Sequence, residues 1–228
     1  MRLDKYLCDC NIGTRSEVKA LIKKGLIRVN AQIAKDPGMS VDETKDSVTY
    51  KDAVVAYSKY HYYVLNKPKG YVCSRRACEG KTVYELLPAD LRDKLETVGR
   101  LDKDTEGILL FTDDGDLSHR LLSPKNHVPK TYDVLCEKDV SEEDLKRLSE
   151  GILIDDEMTL PAKAEYLDTT NRIALTLSEG RFHQVKRMLQ ATCNKVVELK
   201  RISFGNLYLN DLNLPVGTGK EIECKEIE

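Results

Sequence analysis

Asp102 sits inside the run Gly99-Arg100-Leu101-Asp102-Lys103-Asp104-Thr105-Glu106-Gly107, which leads into the apolar stretch Ile108-Leu109-Leu110-Phe111. That stretch, closed by Asp113-Asp114-Gly115, reads as a buried strand ending in a turn. A carboxylate just upstream of such a strand falls at a sheet edge or cleft wall, where partial loss of water makes it a better nucleophile or base. Asp also closes turns and caps helices, so residue type alone leaves both roles open. No second carboxylate stands in a comparable motif, which argues against a glycoside-hydrolysing pair. Cys8/Cys10 and Cys73/Cys78 each lack a matching second pair at zinc-finger spacing. The seven cysteines are odd in number and scattered, and read as reduced thiols rather than a disulfide framework.

Three segments, in this order, resemble the signature motifs of pseudouridine synthases. They are Gly99-Arg100-Leu101-Asp102 with Thr105 and Gly107, then Lys130-Thr131-Tyr132, then Glu179-Gly180-Arg181-Phe182-His183-Gln184-Val185-Lys186-Arg187. Asn66-Lys67-Pro68-Lys69-Gly70 resembles the opening motif of the ribosomal RNA enzymes among them. The resemblance is to the RsuA branch, whose members modify uridines in bacterial ribosomal RNA. Such a reaction breaks the bond between base and ribose, turns the base and rejoins it through carbon. Redox state does not change, so the resemblance implies no cofactor and no metal.

The resemblance implies Asp102 as the carboxylate at the glycosidic bond and Lys186 as the cation that keeps it charged. Related families carry Arg at that place; Lys is a point charge without the bidentate fork, and Arg181 or Arg187 is expected to share the role, both being expected substrate-binding residues. Tyr132 is expected beneath the target base, helping later to remove a proton from carbon. Leu199 is expected to floor the uracil pocket. A uridine in folded RNA must leave its stack before it can be attacked, and Arg100 is expected to fill the place it leaves. Lys67 is expected to support the catalytic loop rather than take part in chemistry, and Arg75 and Arg76 are weaker RNA-contact candidates. The implied partner is ribosomal RNA. Small-subunit (16S) RNA, free or within a partly assembled small subunit, is favoured over large-subunit (23S) RNA because the chain is compact and carries no long basic tail. A non-catalytic RNA-binding assembly factor is the alternative of another class; it predicts a missing Asp or Tyr.

Residues 1–58 read as a separate module. Arg2–Cys10 is a short amphipathic helix with Leu3 and Leu7 on one face. Thr14-Arg15-Ser16-Glu17 has capping-box spacing. The helix it starts turns Val18, Leu21 and Ile22 inward and sets Arg15, Lys19 and Lys23 four residues apart on another face. Gly25 ends this helix, and Ile27-Arg28-Val29-Asn30 alternates as a strand that pairs with Gln32–Lys35. Two helices and a tight strand with basic side chains resemble the alpha-L RNA-binding domain. Arg15, Lys19, Lys23 and Arg28 are the expected phosphate contacts, which position the protein more than they read sequence.

Residues 59–228, after a linker near Val55–Lys59, are expected to form the catalytic domain. Strands are expected at 61–65, 71–74, 108–111, 130–135, 163–167, 172–178 and 195–204. Helical segments are expected at 82–87, 116–122, 141–151 and about 182–192. Strands often follow one another directly, so the class is α+β with a mixed, mainly antiparallel sheet. The polar loop Ser123–Pro129 is a place for function rather than core.

The formal net charge of −2 hides segregation. Residues 1–35 carry eight Lys/Arg against three Asp/Glu, and 180–202 carry six against one. Residues 137–157 reverse this, with nine acids against three bases. Such a chain presents a basic face and an acidic back. No stretch has membrane-spanning length and the N-terminus lacks a signal-like apolar segment. The expectation is a cytoplasmic protein without membrane partners, and nothing in the sequence asks for more than a monomer.

Overall fold

The structure, a computed structural model, describes residues 1–76, 80–126 and 128–227. Cys78 and His127, from the cysteine pair and the polar loop considered above, lie outside the described residues. The chain divides into two compact units, Met1–His61 and the residues from Tyr62 onward.

In the first unit, helix α1 (Leu3–Asp9) buries Leu3, Tyr6 and Leu7, and α2 (Arg15–Lys23) buries Val18 and Ile22 against them. The capping box forms as its spacing predicts. The Thr14 amide donates to Glu17 Oε2 at 2.8 Å, and the Glu17 amide to Thr14 Oγ1 at 3.4 Å. These bonds satisfy donors that the first helical turn leaves free. Strand β1 (Ile27–Val29) turns Ile27 and Val29 inward and Arg28 outward. It lies between β2 (Gln32–Ile33) and β3 (Val48–Tyr50), and β4 (Ala53–Val54) adds to β3. β3 and β4 extend the expected pair; strands this short carry no periodicity to announce them.

The second unit is built on one nine-stranded sheet. Its order is β11 (Lys163–Tyr166), β12 (Arg172–Leu177), β8 (Lys130–Cys136), β13 (Val196–Phe204), β7 (Glu106–Thr112), β5 (Tyr62–Lys67) and β15 (Gly219–Glu221). β6 (Glu96–Val98) pairs with β7, and β14 (Leu207–Tyr208) with β13. Neighbours are antiparallel except β7 and β13, which run parallel, so the mixed, mainly antiparallel α+β class holds. β9 (Leu153–Ile154) and β10 (Glu157–Met158) make a separate small ribbon. Helices α3 (Gly115–Leu122), α4 (Glu142–Glu150) and α5 (Gln184–Ala191) are joined by two short ones, α6 (Leu209–Leu212) and α7 (Cys224–Ile227).

Two apolar clusters hold this unit. One joins Val134, Ile173, Leu175 and Leu199 of the sheet to Leu145 and Leu148 of α4 and Val185, Met188 and Leu189 of α5. The other joins Leu65, Leu109 and Phe111 to Val83, Leu91, Leu95 and Leu101. Tyr132 packs against both.

Two local expectations are corrected. Residues 71–74 do not form the strand partner of β5, because β7 and β15 occupy both of its edges; Val72 makes only an isolated bridge to Thr82. The helix expected from 182 begins at Gln184, because His183 adopts φ 50° and ψ 33°, outside helical geometry.

Candidate active site

A cavity of about 550 Å³ opens against the centre of the sheet. β8 contributes Lys130 and Tyr132 to its wall, and β13 contributes Leu199 and Arg201. Each pair is two residues apart, and so points to one side of the sheet. A register shift between Arg201 and Ser203 then sets Phe204 opposite Lys130, bringing its ring onto the same wall. Lys130 Nζ lies 5.4 Å and Arg201 Cζ 5.1 Å from the centre of that ring. Both cations are buried. Burial pushes the Lys130 ammonium down from the ordinary 10.5 to about 8, and the charge of Arg201 adds to the fall.

Asp102 is held over this wall by backbone fastenings. Lys67, fully buried at the end of β5, donates its three protons to three carbonyls: Pro68 O at 3.2 Å, Asp102 O at 2.9 Å and Thr105 O at 2.8 Å. The Thr105 amide returns to Asp102 O at 3.1 Å, and the Gly70 amide reaches Lys103 O at 2.7 Å. Leu101, one residue before the Asp, is buried in the second apolar cluster. Gly107 then lets β7 meet β13. Its φ is 106°, and a Cβ there would stand 2.1 Å from the carbonyl oxygen of Arg201.

The Asp102 side chain is 27 % exposed, and its Oδ2 lies 2.9 Å from Lys186 Nζ. Lys186 also pairs with Asp104 Oδ1 at 2.6 Å, so one ammonium serves two carboxylates. Burial pulls the Lys186 ammonium down, but the hydrogen bonds it donates to Asp104 and Asp102 outweigh it and leave it above the ordinary lysine value. Burial acts upward on Asp104, and the bond and charge of Lys186 outweigh that too, leaving its carboxyl below the usual range. His183 Nε2 stands 3.5 Å from Asp102 Oδ1 and stacks on the ring of Phe182, centroids 3.8 Å apart. α5 can present Lys186 here because Val185, Met188 and Leu189 anchor its other side in the core. Gln184 pins the preceding turn, accepting from the Arg181 amide at 2.9 Å and donating to Glu179 at 2.7 Å.

Of the residues singled out from sequence, Asp102, Tyr132, Lys186, Arg100, Leu199 and Arg181 all line this cavity; Arg187 does not. Neither alternative partner for Asp102 reaches it. Arg181 is tied to Glu179 at 3.2 Å and to Met158 O at 2.6 Å, and Arg187 is paired with Asp155. Arg75, weighed as an RNA contact, is bonded to Glu96 at 2.8 Å and Leu95 O at 2.6 Å and lies over the Tyr84 ring. Cys73 belongs to the cavity wall, where its sulfur accepts from the Leu101 amide at 3.4 Å. Reading the sequence passed over Asp104, Thr105, Arg201 and Phe204 as wall or partner residues. Arg201 carried a usable signal, since it stands two residues from Leu199 on a strand; Phe204 did not, since the register shift breaks the alternation. Arg15, Lys19, Lys23 and Arg28 belong to the first unit, where all four are exposed and Arg28 pairs with Asp52 at 3.5 Å.

The RNA pseudouridylate synthase family matches residues 61–191, and the S4 domain matches residues 1–47. The chain belongs to the RNA pseudouridylate synthase family. The synthase is 43 % identical over its whole length, and 97 % of the relative's, to a Bacillus subtilis protein described as an uncharacterized RNA pseudouridine synthase, YtzG. It is 40 % identical, over its whole length and 98 % of the relative's, to the ribosomal small subunit pseudouridine synthase A of Haemophilus influenzae. The Escherichia coli K12 protein of the same name is 36 % identical over the same shares. A crystal structure of a pseudouridylate synthase superposes with a TM-score of 0.69 at 37 % identity, covering the whole synthase and 98 % of that chain. The synthase is therefore an RsuA-like RNA pseudouridine synthase, an isomerase, with an N-terminal S4 RNA-binding domain. The alpha-L module expected from the first residues is this domain. The non-catalytic reading required a missing Asp or Tyr, and Asp102 and Tyr132 stand in one cavity.

Proposed function

We propose that the synthase isomerises a uridine of small-subunit (16S) ribosomal RNA, with Asp102 acting at the glycosidic bond. The observation that supports the target is full-length similarity to proteins described as small-subunit enzymes. The Asp102–Lys186 pair at 2.9 Å inside the cavity supports the residue roles. Lys186 sets a positive charge against the carboxylate next to the sugar. Tyr132, rooted between two apolar clusters, offers a rigid ring beneath the base and a hydroxyl for proton removal at carbon. Leu199 supplies the apolar floor. Arg100, exposed at the rim, takes the place of the flipped base in the RNA stack. Arg181 and Arg187 act by holding the turn before α5 and by supporting that helix. Arg15, Lys19, Lys23 and Arg28 engage phosphates from the S4 domain. Ribosomal RNA, free or in a partly assembled subunit, is the partner, and the cytoplasm is where a monomeric enzyme would meet it.

Two measurements test this. Tritium release from C5-labelled ribosomal RNA should fall by at least a thousandfold in Asp102→Asn, a protein that keeps the cavity but loses the anion. Pseudouridine mapping in cells lacking the gene should show one site missing from 16S RNA. Loss confined to 23S RNA refutes the target, and full turnover by Asp102→Asn refutes the role of the carboxylate.

A further inference from the structure

Three buried side-chain polar atoms lack a hydrogen-bond partner among the described residues: Asn66 Oδ1, Thr105 Oγ1 and Arg201 Nη2. The last two belong to residues that line the cavity beside Asp102. Arg201 is the stronger case. It is only 2 % exposed, and its Nε is fixed by a 2.8 Å bond to Ile108 O. It forms no ion pair within the described residues, and its guanidinium lies over Phe204. A buried charged donor left unmade is costly, and such groups in native proteins have a partner somewhere. Lys130, its cationic neighbour on the wall, donates to Val128 O and has no carboxylate partner among the described residues. This wall therefore presents positive charge and an unpartnered N–H to the cavity that Asp102 also lines.

We propose that Arg201 is a base-reading residue: its Nη2 donates a hydrogen bond to a carbonyl oxygen of the target uracil. The proposal rests on the placement of the reaction at Asp102. A flat ring resting on Tyr132 and Leu199 has only its edge left for polar recognition. Arg201 is rooted in the strand that carries Leu199 and sits across the ladder from Tyr132. A donor of this kind also retains the ring at the stage when it is no longer joined to the sugar and must turn without escaping. The planar, permanently charged guanidinium suits a carbonyl acceptor in a partly dry site better than a mobile ammonium does.

The test uses the full-length synthase and RNA oligonucleotides carrying its mapped target as uridine, 2-thiouridine or 4-thiouridine, because sulfur is a much weaker acceptor than oxygen. Turnover is read by chromatography of digested nucleosides. With wild type, one of the two thio substitutions should lower kcat/KM by about tenfold to a hundredfold, the range for losing a bond to a charged donor. In Arg201→Met, kcat/KM on uridine should fall by a similar factor, and the thio substitution should then cost less than about twofold. Arg201→Lys also lacks Nη2 but keeps the charge and a donor for Ile108 O, so it replaces the Met variant if that one melts below the assay temperature. No thio penalty in wild type, or an equal penalty in wild type and variant, overturns the proposal. So does a loss in Arg201→Met with no thio effect, which assigns the group to a phosphate or to the framework. Asp102→Asn run in parallel separates the two claims: if it is inactive, a failed cycle removes only the role of Arg201; if it is active, the site itself is misplaced.

Discussion

Cations below the surface set the character of this site, and each is managed differently. Lys67 has its charge spread over three carbonyls. Lys186 is divided between two carboxylates. Lys130 is the least compensated, with one acceptor among the described residues, Val128 O at 2.9 Å, and an arginine beside it. Its ammonium is pushed down to about 8, so between that value and the ordinary 10.5 the unfolded chain holds a proton that the folded chain has released. Stability on this account rises with pH across that window and is lowest below it. Lys186 has the opposite sign: its contribution is whole below the ordinary lysine value and is lost only as pH climbs through its raised one. The two effects occupy different pH ranges. Lys130→Met should therefore stabilise the fold at pH 7, by roughly 2 kcal/mol, and the advantage should shrink toward zero as pH approaches the ordinary lysine value. Urea unfolding of both proteins at pH 7, 8, 9 and 10 reads this directly. An advantage that stays constant with pH means that Lys130 carries no burial penalty.

Strands β7 and β13 decide where the proposed reactive groups meet, because their parallel contact brings the Asp102 loop to the wall that carries Leu199 and Arg201. The contact depends on Gly107. A methyl group there would stand 2.1 Å from the Arg201 carbonyl oxygen, at a φ of 106° that side chains resist. Gly107→Ala should cost about 3 kcal/mol or more in stability, and any folded fraction should lose kcat more than it raises KM, since the strand that follows Asp102 is displaced. A variant that unfolds at the parental urea midpoint would show that the strands separate without consequence. Much at this scale was legible in advance. The α2 capping box, the apolar run of β7 and the acidic start of α4 are local signals, written in neighbouring residues. What escaped was set by distant neighbours. Residues 71–74 look like a strand, but both edges of β5 are filled by segments about 40 and 150 residues further along. Phe204 reaches the cavity only through a register shift, and His183 delays the start of α5 to Gln184 by adopting a left-handed backbone. The residues proposed to react were readable from motif; the pairing of Lys186 with Asp104 and the unpaired donor of Arg201 depend on packing that no motif encodes.

Across the whole molecule the charge nearly cancels, at −2, yet the distribution divides the labour between a unit that grips RNA and a unit that acts on it. Arg15, Lys19 and Lys23 share the exposed side of α2 with no ion pair among the described residues, whereas Arg28 is drawn toward Asp52. The helical trio is therefore expected to be the larger source of phosphate affinity. Each phosphate contact releases a counterion and contributes about 0.7 to 0.9 to the slope of log affinity against log salt. Replacing all three residues with Gln should flatten that slope by about 2 to 3 units, measured by filter binding of ribosomal RNA between low and moderate salt. None of the three lines the cavity, so kcat at saturating RNA should stay within about twofold while KM rises. The substitutions leave the capping box and the buried Val18 and Ile22 intact, so the melting temperature should hold and serve as the control. If the slope does not change while the fold persists, the S4 domain holds RNA through another surface. If kcat falls with KM unchanged, the N-terminal unit takes part in organising the reaction rather than in capturing its substrate.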